Sequence, residues 1–424
     1  MKTCFYKQLD ATRLQELTQR PQIDLDGTYE IVRPIMEEVK SSGDTALKYF
    51  TRKFDSVELE SLEVSEEERN AAASKLSDKT KNAFKKAAEN IRTFHKSQIL
   101  DEKVVETMPG VTCFRQSRAI EKVGLYIPAG TAPLPSTVLM LGIPAQIAGC
   151  EEIILCTPPP VAPEILYAAE LCGITKIFQV GGAQAIAAMT YGTESIPQTY
   201  KIFGPGNQYV TAAKMLAQLE GIAIDMPAGP SEVIIIADDN ANPEFVAADL
   251  LSQAEHGTDS QVVLVCLSER VAEKVNGELQ SQLSVLPRKE IAKESLSKSF
   301  TLICESLDQA FKFSNQYAPE HLILNVENPD KYIQLIKNTG SVFLGKYSCE
   351  SAGDYASGTN HTLPTYGYAK AYSGVSLDSF VKKITFQRLT EEGVRNLGPI
   401  VEEMAECEQL FAHKNAMSLR LKNI

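Results

Sequence analysis

The strongest constraint on the fold is an alternation that begins at Lys122, where short apolar runs are separated by segments with helical spacing. The runs cover residues 123–127, 153–156, 174–180 and 200–203, and helical segments such as 162–171 and 208–219 separate or follow them. Strands that alternate with helices are typical of βαβ units, whose strands pair in a parallel sheet. This region therefore predicts a parallel α/β fold.

A second series of apolar runs follows and resembles the first. It covers residues 233–237, 262–266, 302–304, 321–326 and 342–344. The helix predicted between its first two strands has Asn242 as N-cap, Pro243 at its first position and Gly257 just past its end. The sequence thus predicts two similar α/β halves.

The segments on either side of these two series have a different residue pattern. The first hundred residues are polar and charged, and they are typical of helices that support the sheets. From about residue 378 to 421 the pattern is helical again, and Pro399 is predicted to begin a helix. Its apolar face also carries Glu408, a carboxylate that needs a specific partner if it is desolvated. The apolar residues of that face are Val401, Met404, Ala405 and Ala412.

Length and composition set the class of protein. At roughly 150 residues per domain, 424 residues predict two or three domains, and 44% hydrophobic with 23% charged residues is typical of globular proteins. The formal charge of −12 comes from 42 Lys and Arg against 54 Asp and Glu. This balance argues against a nucleic-acid backbone as the main partner and favours small molecules or proteins.

The sequence gives no sign of export or of membrane insertion. Its first ten residues lack an apolar stretch behind a basic region, and the apolar residues 138–150 are too few to span a bilayer, which takes about 20. The nine cysteines form no C-x-x-C pair, so they are interpreted as reduced core thiols. We expect a cytoplasmic protein without a membrane partner.

Two short patterns could carry chemistry. Gln253 and His256 lie three residues apart near the end of the predicted helix, so they could bind one ion, although helix-end packing is the commoner use of such a pair. Glu320 and His321 lie where a loop enters a strand, and both types of side chain suit acid–base catalysis. Adjacent side chains on an extended segment diverge, so this pair could serve one site only if the backbone turns there.

A polar run and two glycine turns predict where ligands bind. Residues 351–365 hold an acid, an imidazole, hydroxyls, an amide and glycines, which is typical of a binding loop. No G-x-G-x-x-G or P-loop motif occurs. Gly181-Gly182-Ala183-Gln184 and Gly204-Pro205-Gly206-Asn207 each follow a strand and open a helix, at the edge where α/β sheets bind ligands, although each could be a simple tight turn.

Together these segments resemble the histidinol dehydrogenase family, whose members catalyse the last two oxidations of histidine biosynthesis. The matching segments span about two thirds of the chain, and the run around Asp354 and His361 is the most specific of them. They are residues 124–128, 181–185, 203–207, 228–233, 253–256, 318–322, 353–365 and 412–416.

The resemblance implies a zinc site with one ion per subunit. Its ligands would be Gln253, His256 and Asp354, with His413 arriving from the other subunit of a homodimer. Nitrogen and oxygen donors of this kind are suitable for Zn²⁺. The ion would hold the imidazole and amine of the substrate while NAD⁺ accepts the electrons.

The resemblance also implies roles in catalysis and binding. Glu320 and His321 would be the catalytic pair that converts L-histidinol through L-histidinal to L-histidine with two NAD⁺ reduced. An unbroken helix would set Glu408 about 140° from His413, so the helix is expected to end between them. The implied NAD contacts are Tyr126, Gln184 and Asn207, and the implied substrate contacts are Ser231, Gln253, His256, His321, Asp354, His361, Glu408 and His413.

The expected fold is α/β, with two similar, incomplete Rossmann-like parallel-sheet domains and helical extensions at both ends. Residues 1–25 would form an N-terminal extension. Residues 26–115 and 232–375 would form the domain with the metal and catalytic residues, and residues 116–231 the domain that contacts NAD. Residues 376–424 would form a C-terminal helical segment that supplies one ligand across the dimer.

Three alternative functions are compatible with these residues. A zinc hydrolase could use the same metal ligands with Glu320 as base and no nicotinamide. An inactive homologue could survive as an interaction protein, although every expected site residue is present. A dehydrogenase could also hold the aldehyde as a cysteine thiohemiacetal, for which Cys113, Cys150 and Cys349 are the candidates.

Overall fold

The structure is a computed structural model and describes residues 1–20, 25–128, 133–227 and 229–424. Ala228, which belongs to one of the matching segments, lies outside the described residues. The strands of the described part are β1 (Lys2–Phe5), β2 (Val104–Met108), β3 (Val111–Ala119), β4 (Lys122–Tyr126), β5 (Glu152–Thr157), β6 (Lys176–Gln179), β7 (Lys201–Phe203), β8 (Ala223–Ile224), β9 (Glu232–Ala237), β10 (Gln261–Cys266), β11 (Phe300–Ile303), β12 (His321–Asn325), β13 (Ser341–Leu344) and β14 (Val381–Leu389).

The helices cover the sheets and connect the strands. In none of them, over the ranges that the structure describes, is there a stretch long and apolar enough to cross a membrane. They are α1 (Ala11–Leu17), α2 (Leu25–Asp55), α3 (Glu66–Ala72), α4 (Asp78–Lys96), α5 (Pro135–Ala148), α6 (Pro163–Leu171), α7 (Gly182–Tyr191), α8 (Gln208–Leu219), α9 (Pro243–Ala254), α10 (Glu269–Val285), α11 (Lys289–Ser297), α12 (Leu307–Tyr317), α13 (Glu350–Tyr355), α14 (Glu391–Cys407) and α15 (Phe411–Lys422).

Two parallel sheets confirm the predicted α/β fold. The five-stranded sheet has the order β6-β5-β4-β7-β8, and the six-stranded sheet has the order β1-β11-β10-β9-β12-β13. If the strands of each series are numbered along the chain, both sheets have the order 3-2-1-4-5, which is the order of a dinucleotide-binding sheet without its sixth strand. The N-terminal strand β1 extends the second sheet at its edge and was not predicted.

An antiparallel sheet of three strands, β14-β3-β2, was also missed. The prediction of helix from about residue 378 is wrong for its first part, because residues 381–389 pair with β3 as a strand. Pro399 does not begin a helix. It lies inside α14, which starts at Glu391 because the side chain of Thr390 accepts a hydrogen bond from Gly393 N. The predicted single apolar face does not form either, since Met404 is 61% exposed.

The core is formed where helices pack on both faces of each parallel sheet. Strands β9 and β10 are buried along their whole length, as expected for the centre of such a sheet. Helix α2 packs on α7 and α8, and α4 packs on α5, so these N-terminal helices surround the five-stranded sheet. This packing favours grouping them with residues 116–231 rather than with residues 232–375, and the domain boundaries stay a prediction.

Candidate functional site

A cleft lies between opposite edges of the two parallel sheets. One wall is the turn that follows β7, at the carboxyl edge of the five-stranded sheet, and includes Gly204 and Gly206. The facing wall includes Ser231 and Glu320, which immediately precede β9 and β12 at the amino edge of the six-stranded sheet. The cleft therefore joins the ligand-binding edge of one sheet to the start of the strands of the other.

A backbone turn brings Glu320 and His321 to the same side. Ala318 ends α12 in the left-handed conformation, with φ of 55°, and His321 is the first residue of β12. Glu320 Oε2 and His321 Nδ1 lie 3.6 Å apart, and both side chains are buried. The backbone therefore turns at this point, as a site shared by Glu320 and His321 requires.

Carboxylates surround the imidazole of His321. Its Nε2 lies 3.4 Å from Asp354 Oδ1, and its ring stacks on Phe343 with the ring centres 5.9 Å apart. Burial alone would favour the neutral ring, but the negative charges of Glu350, Glu320 and Asp354 outweigh burial and hold the pKa of His321 well above its ordinary value. The site is thus rich in negative charge and suited to cations.

Several buried polar atoms in this region have no hydrogen-bond partner among the described residues. Gln253 is 0% exposed; its Nε2 donates to Glu320 Oε2 at 3.3 Å, but its Oε1 is unpaired. Glu350 Oε2 also lacks a hydrogen bond, and Asp354 Oδ1 and His321 Nε2 face each other at 3.4 Å without hydrogen-bond geometry. Buried atoms of this kind are costly without a partner, so the region has the character of a site that receives a ligand.

The arrangement fits a metal ion. Donor atoms of His256, Glu350 and Asp354 lie within 4.8 Å of one another, and His256 is exposed while Glu350 is buried. Gln253 is linked to His256, whose backbone N–H donates to Gln253 O at 3.3 Å. Nitrogen and oxygen donors with unpaired lone pairs are those that Zn²⁺ accepts.

His361 and Ser231 are two of the substrate contacts that the resemblance implies. Both line the cleft. His361 Nδ1 is 2.7 Å from the backbone O of Asp354, and its Nε2 is 3.1 Å from Thr137 Oγ1. Burial lowers the pKa of His361, so this ring favours its neutral form.

The three residues implied for NAD lie around the carboxyl edge of the five-stranded sheet. Tyr126 is buried at the end of β4, and its hydroxyl accepts a hydrogen bond from Gly182 N at 3.1 Å. Gln184 is buried in the first turn of α7, whereas Asn207 is exposed and caps α8. A Cβ at Gly204 would lie 2.0 Å from Tyr126 O, so the turn requires glycine to approach β4 this closely. A glycine-edged crevice at the reversal of strand order fits a dinucleotide.

Glu408 and His413 are not brought to this cleft within one chain. Helix α14 ends at Cys407, Gln409 has φ of 59°, and α15 begins at Phe411, which confirms the predicted break. Both side chains are exposed, and the metal-donor group found among the described residues does not include His413. No residue of α15 is buried.

The structure adds residues that the sequence did not single out. Glu350 lies four residues before Asp354 on the same face of α13, and this spacing beside the polar run 351–365 could have revealed it. Arg20 and Glu232 form a buried ion pair beside Glu320 and His321, and their separation of 212 residues gave no sequence signal. No cysteine is among the described residues that line the cleft.

Comparisons with known proteins agree on one family. The family model "Histidinol dehydrogenase" matches residues 18–421. A histidinol dehydrogenase from Bacteroides thetaiotaomicron is 56% identical over 413 residues, which cover 96% of each chain. A chloroplastic histidinol dehydrogenase from Arabidopsis thaliana is 54% identical over 431 residues, covering 100% of this chain and 92% of that one. The crystal structure of histidinol dehydrogenase from Elizabethkingia anophelis superposes with a TM-score of 0.96 at 55% identity, covering 100% of this chain and 98% of that one. The chain therefore belongs to the histidinol dehydrogenase family.

Proposed function

We propose that this protein oxidises L-histidinol through L-histidinal to L-histidine and reduces two NAD⁺, with one zinc ion per subunit. The observation that carries the proposal is the buried group formed by Gln253, Glu320, His321 and Asp354, which leaves polar atoms without hydrogen bonds and reaches the cleft at Glu320. It combines acid–base side chains with cation ligands beside a dinucleotide-binding edge. Family membership supports the same reaction.

Gln253, His256 and Asp354 would hold the zinc ion, together with His413 of the partner subunit. Zinc has no redox chemistry, so the ion held there would supply a fixed positive charge for the imidazole and amine of the substrate. Tyr126, Gln184 and Asn207 would hold NAD⁺, which would supply the hydride acceptor. The acidic surroundings of His321 suit both the metal and a cationic amine.

His321 is proposed to take the proton of the alcohol. Its Nδ1 lies 3.3 Å from the backbone O of Glu232, which can only accept, so the Nδ1 atom carries the proton and the unpaired Nε2 is the basic atom. A bound metal ion and an ammonium group would offset the charges of Glu350 and Asp354, which hold the pKa of His321 high in their absence, and would so favour the neutral ring that accepts a proton.

Glu320 is proposed to act in the second oxidation. Its carboxylate lines the cleft and is held by Glu232 N at 2.9 Å and Gln253 Nε2 at 3.3 Å. A water bound beside it would lose a proton as it adds to the aldehyde carbon, and the hydrate then gives up its hydride to the second NAD⁺. Each oxidation removes two electrons, so one histidine accounts for two NADH.

The remaining substrate contacts would come from both subunits. Ser231 and His361 line the cleft beside the catalytic pair. Glu408 of the partner subunit would neutralise the substrate amine. These assignments leave the nicotinamide on the side of the five-stranded sheet and the metal on the side of the six-stranded sheet.

We propose a homodimer in which α14 and α15 lie on the partner subunit. Helix α15 packs on α14, yet none of its residues is buried within its own chain, so an interface that covers this helix pair would stabilise it. Large apolar side chains are exposed on both helices, and such a patch favours an interface. They are Ile400, Met404, Leu410, Phe411 and Leu419.

Two of the alternatives are less well supported by the site. A zinc hydrolase needs no crevice at Gly204, and a thiohemiacetal needs a thiol that is missing from the described lining of the cleft.

We propose a cytoplasmic enzyme without a nucleic-acid or membrane partner, in keeping with the charge of −12.

Purified protein incubated with L-histidinol tests the proposal. NADH and histidine should form only when NAD⁺ is present, and a zinc chelator should abolish both until zinc is restored. Turnover of ester or amide substrates without NAD⁺ would favour the hydrolase. Failure to oxidise histidinol in the zinc-loaded protein would refute the proposed function.

A further inference from the structure

A buried ion pair lies directly behind the catalytic pair. Arg20 Nε donates to Glu232 Oε1 and Arg20 Nη2 donates to Glu232 Oε2, each at 2.8 Å. The two side chains are 6% and 2% exposed. Two parallel N–H···O bonds fix the orientation of both groups, which one ammonium group cannot do.

Glu232 contacts both catalytic residues through its backbone. Its N–H donates to Glu320 Oε2 at 2.9 Å, and its carbonyl oxygen lies 3.3 Å from His321 Nδ1. Glu232 is the first residue of β9, which is paired in parallel with β12, and Val233 is opposite His321. The position of the Glu232 backbone, through the two peptide groups on either side of its Cα, therefore sets the Glu320 carboxylate and the His321 tautomer together.

Arg20 also fixes the turn that precedes the catalytic pair. Arg20 Nη2 donates to Ala318 O at 3.3 Å, and the guanidinium lies over the Tyr317 ring, 3.5 Å from its centre. Arg20 Nη1 is bound to Thr18 O at 2.8 Å, so the guanidinium itself is held from the N-terminal segment. The side chain thus joins the start of β9 to the turn at Ala318.

We propose that Arg20 and Glu232 are positioning residues, which hold the catalytic pair in its reactive geometry without touching the substrate. Both side chains are almost fully buried, and Arg20 reaches the catalytic pair only through Glu232 and the turn at Ala318. Removal of Arg20 leaves a buried carboxylate without its charged partner, so Glu232 must shift or take up a proton. Either change moves the peptide that orients Glu320 and His321. The proposal rests on the proposed function for its kinetic readout alone.

The kinetic test compares Arg20→Ala with the wild-type enzyme. Misplacement of a reacting group by about 1 Å costs about 10²-fold in rate, so kcat for histidinol should fall by about that factor. The KM for histidinol should change by less than about three-fold, because the binding groups remain. Arg20→Lys keeps the positive charge but cannot form the two parallel hydrogen bonds, so its kcat should lie between those of Arg20→Ala and the wild-type enzyme.

Chemical rescue separates positioning from a loss of stability. Added methylguanidinium should restore part of the kcat of Arg20→Ala, because it fits the space beside Glu232 and returns the paired charge. It should not restore the double variant Arg20→Ala/Glu232→Gln, which has no carboxylate to pair. Leu302→Ala is the control for stability, since this buried residue of β11 lies near the carboxyl end of the six-stranded sheet, away from the cleft. It should lower the melting temperature with kcat nearly unchanged.

Hydrogen exchange gives a readout that needs no activity. Peptides that contain residues 231–233 and 318–322 should exchange faster in Arg20→Ala and in Arg20→Lys, but not in Leu302→Ala. Unchanged exchange at these amides, an equal kcat in Arg20→Ala and the control, or equal rescue of the double variant would overturn the proposal. If the wild-type protein does not oxidise histidinol, the proposed function fails, and exchange alone then decides whether the ion pair orders the site.

Discussion

Replacement of Glu320 by glutamine separates the two oxidations. Glu320 is 6% exposed, and its Oε2 accepts hydrogen bonds from Glu232 N and Gln253 Nε2. Glutamine has the same shape, and its carbonyl oxygen can accept both bonds. Each bond weakens from about 1.5–3 kcal/mol to about 1 kcal/mol when the acceptor loses its charge, but the neutral group costs less to bury. Folding stability should therefore change by no more than about 2 kcal/mol.

The effect on the second oxidation should be much larger than the effect on folding. Loss of a general base costs about 10²-fold to 10⁴-fold, which is about 2.7–5.4 kcal/mol of activation free energy at 1.36 kcal/mol per decade. The first oxidation does not require the addition of water. We expect that step to slow by less than about ten-fold in Glu320→Gln.

The assay starts separate reactions with histidinol and with histidinal and follows NADH in each. Glu320→Gln should release or accumulate aldehyde from histidinol and oxidise histidinal slowly. His321→Asn is the matched variant and should slow the removal of the alcohol proton. Equal and small losses for both variants in both reactions would refute the division of roles.

Two further predictions concern the metal site. If His413 acts across the dimer, His256→Asn and His413→Asn should each be inactive alone. Co-expression of the two variants with random assortment should recover about a quarter of the wild-type sites, because half of the dimers are mixed and each mixed dimer has one intact site of two. Mixed dimers that show no activity and bind no additional zinc would place His413 within its own chain or outside the site. Glu350→Gln should weaken zinc retention about 10-fold to 100-fold in a chelator competition, since it removes a buried carboxylate beside His256 and Asp354. Substitution of the exposed Glu290 by glutamine is the control. Equal zinc retention in both variants would contradict a role for Glu350.

The sheets could be predicted because their signals are local. In a parallel sheet that is covered on both faces, each strand is a short apolar run, and such runs mark β9, β10 and β12 in the sequence. The cap at Asn242 was likewise readable, because its side chain accepts from Glu244 N only two residues away. These signals depend on neighbours in the chain.

The antiparallel sheet could not be predicted in the same way. Strand β14 is partly exposed and carries Lys382 and Lys383, so its pattern resembles a solvated helix face. Its pairing partner β3 lies more than two hundred residues earlier, and only the folded chain brings the two together. The helix that follows is placed by the cap at Thr390 rather than by Pro399.

The residues of the candidate site likewise fall into those that the sequence could reveal and those that it could not. Gln253, His256, Glu320 and His321 could be named because they lie in short patterns, and the family resemblance linked them to Asp354. Their convergence depends on how α9, the start of β12 and α13 pack together, and a sequence does not state that. Arg20 and Glu232 have no local pattern, so their contact became visible only in the structure.

The central claim is that one site carries out both oxidations, and the ratio of NADH to histidine tests it most directly. Wild-type enzyme with excess NAD⁺ and limiting histidinol should give a ratio that approaches two, with little free aldehyde at any time, because His321 lies 3.6 Å from Glu320, which lines the cleft. The measurement combines NADH absorbance with chromatography of histidine and trapped aldehyde. A ratio near one, with histidinal accumulating as histidinol is consumed, would contradict the account.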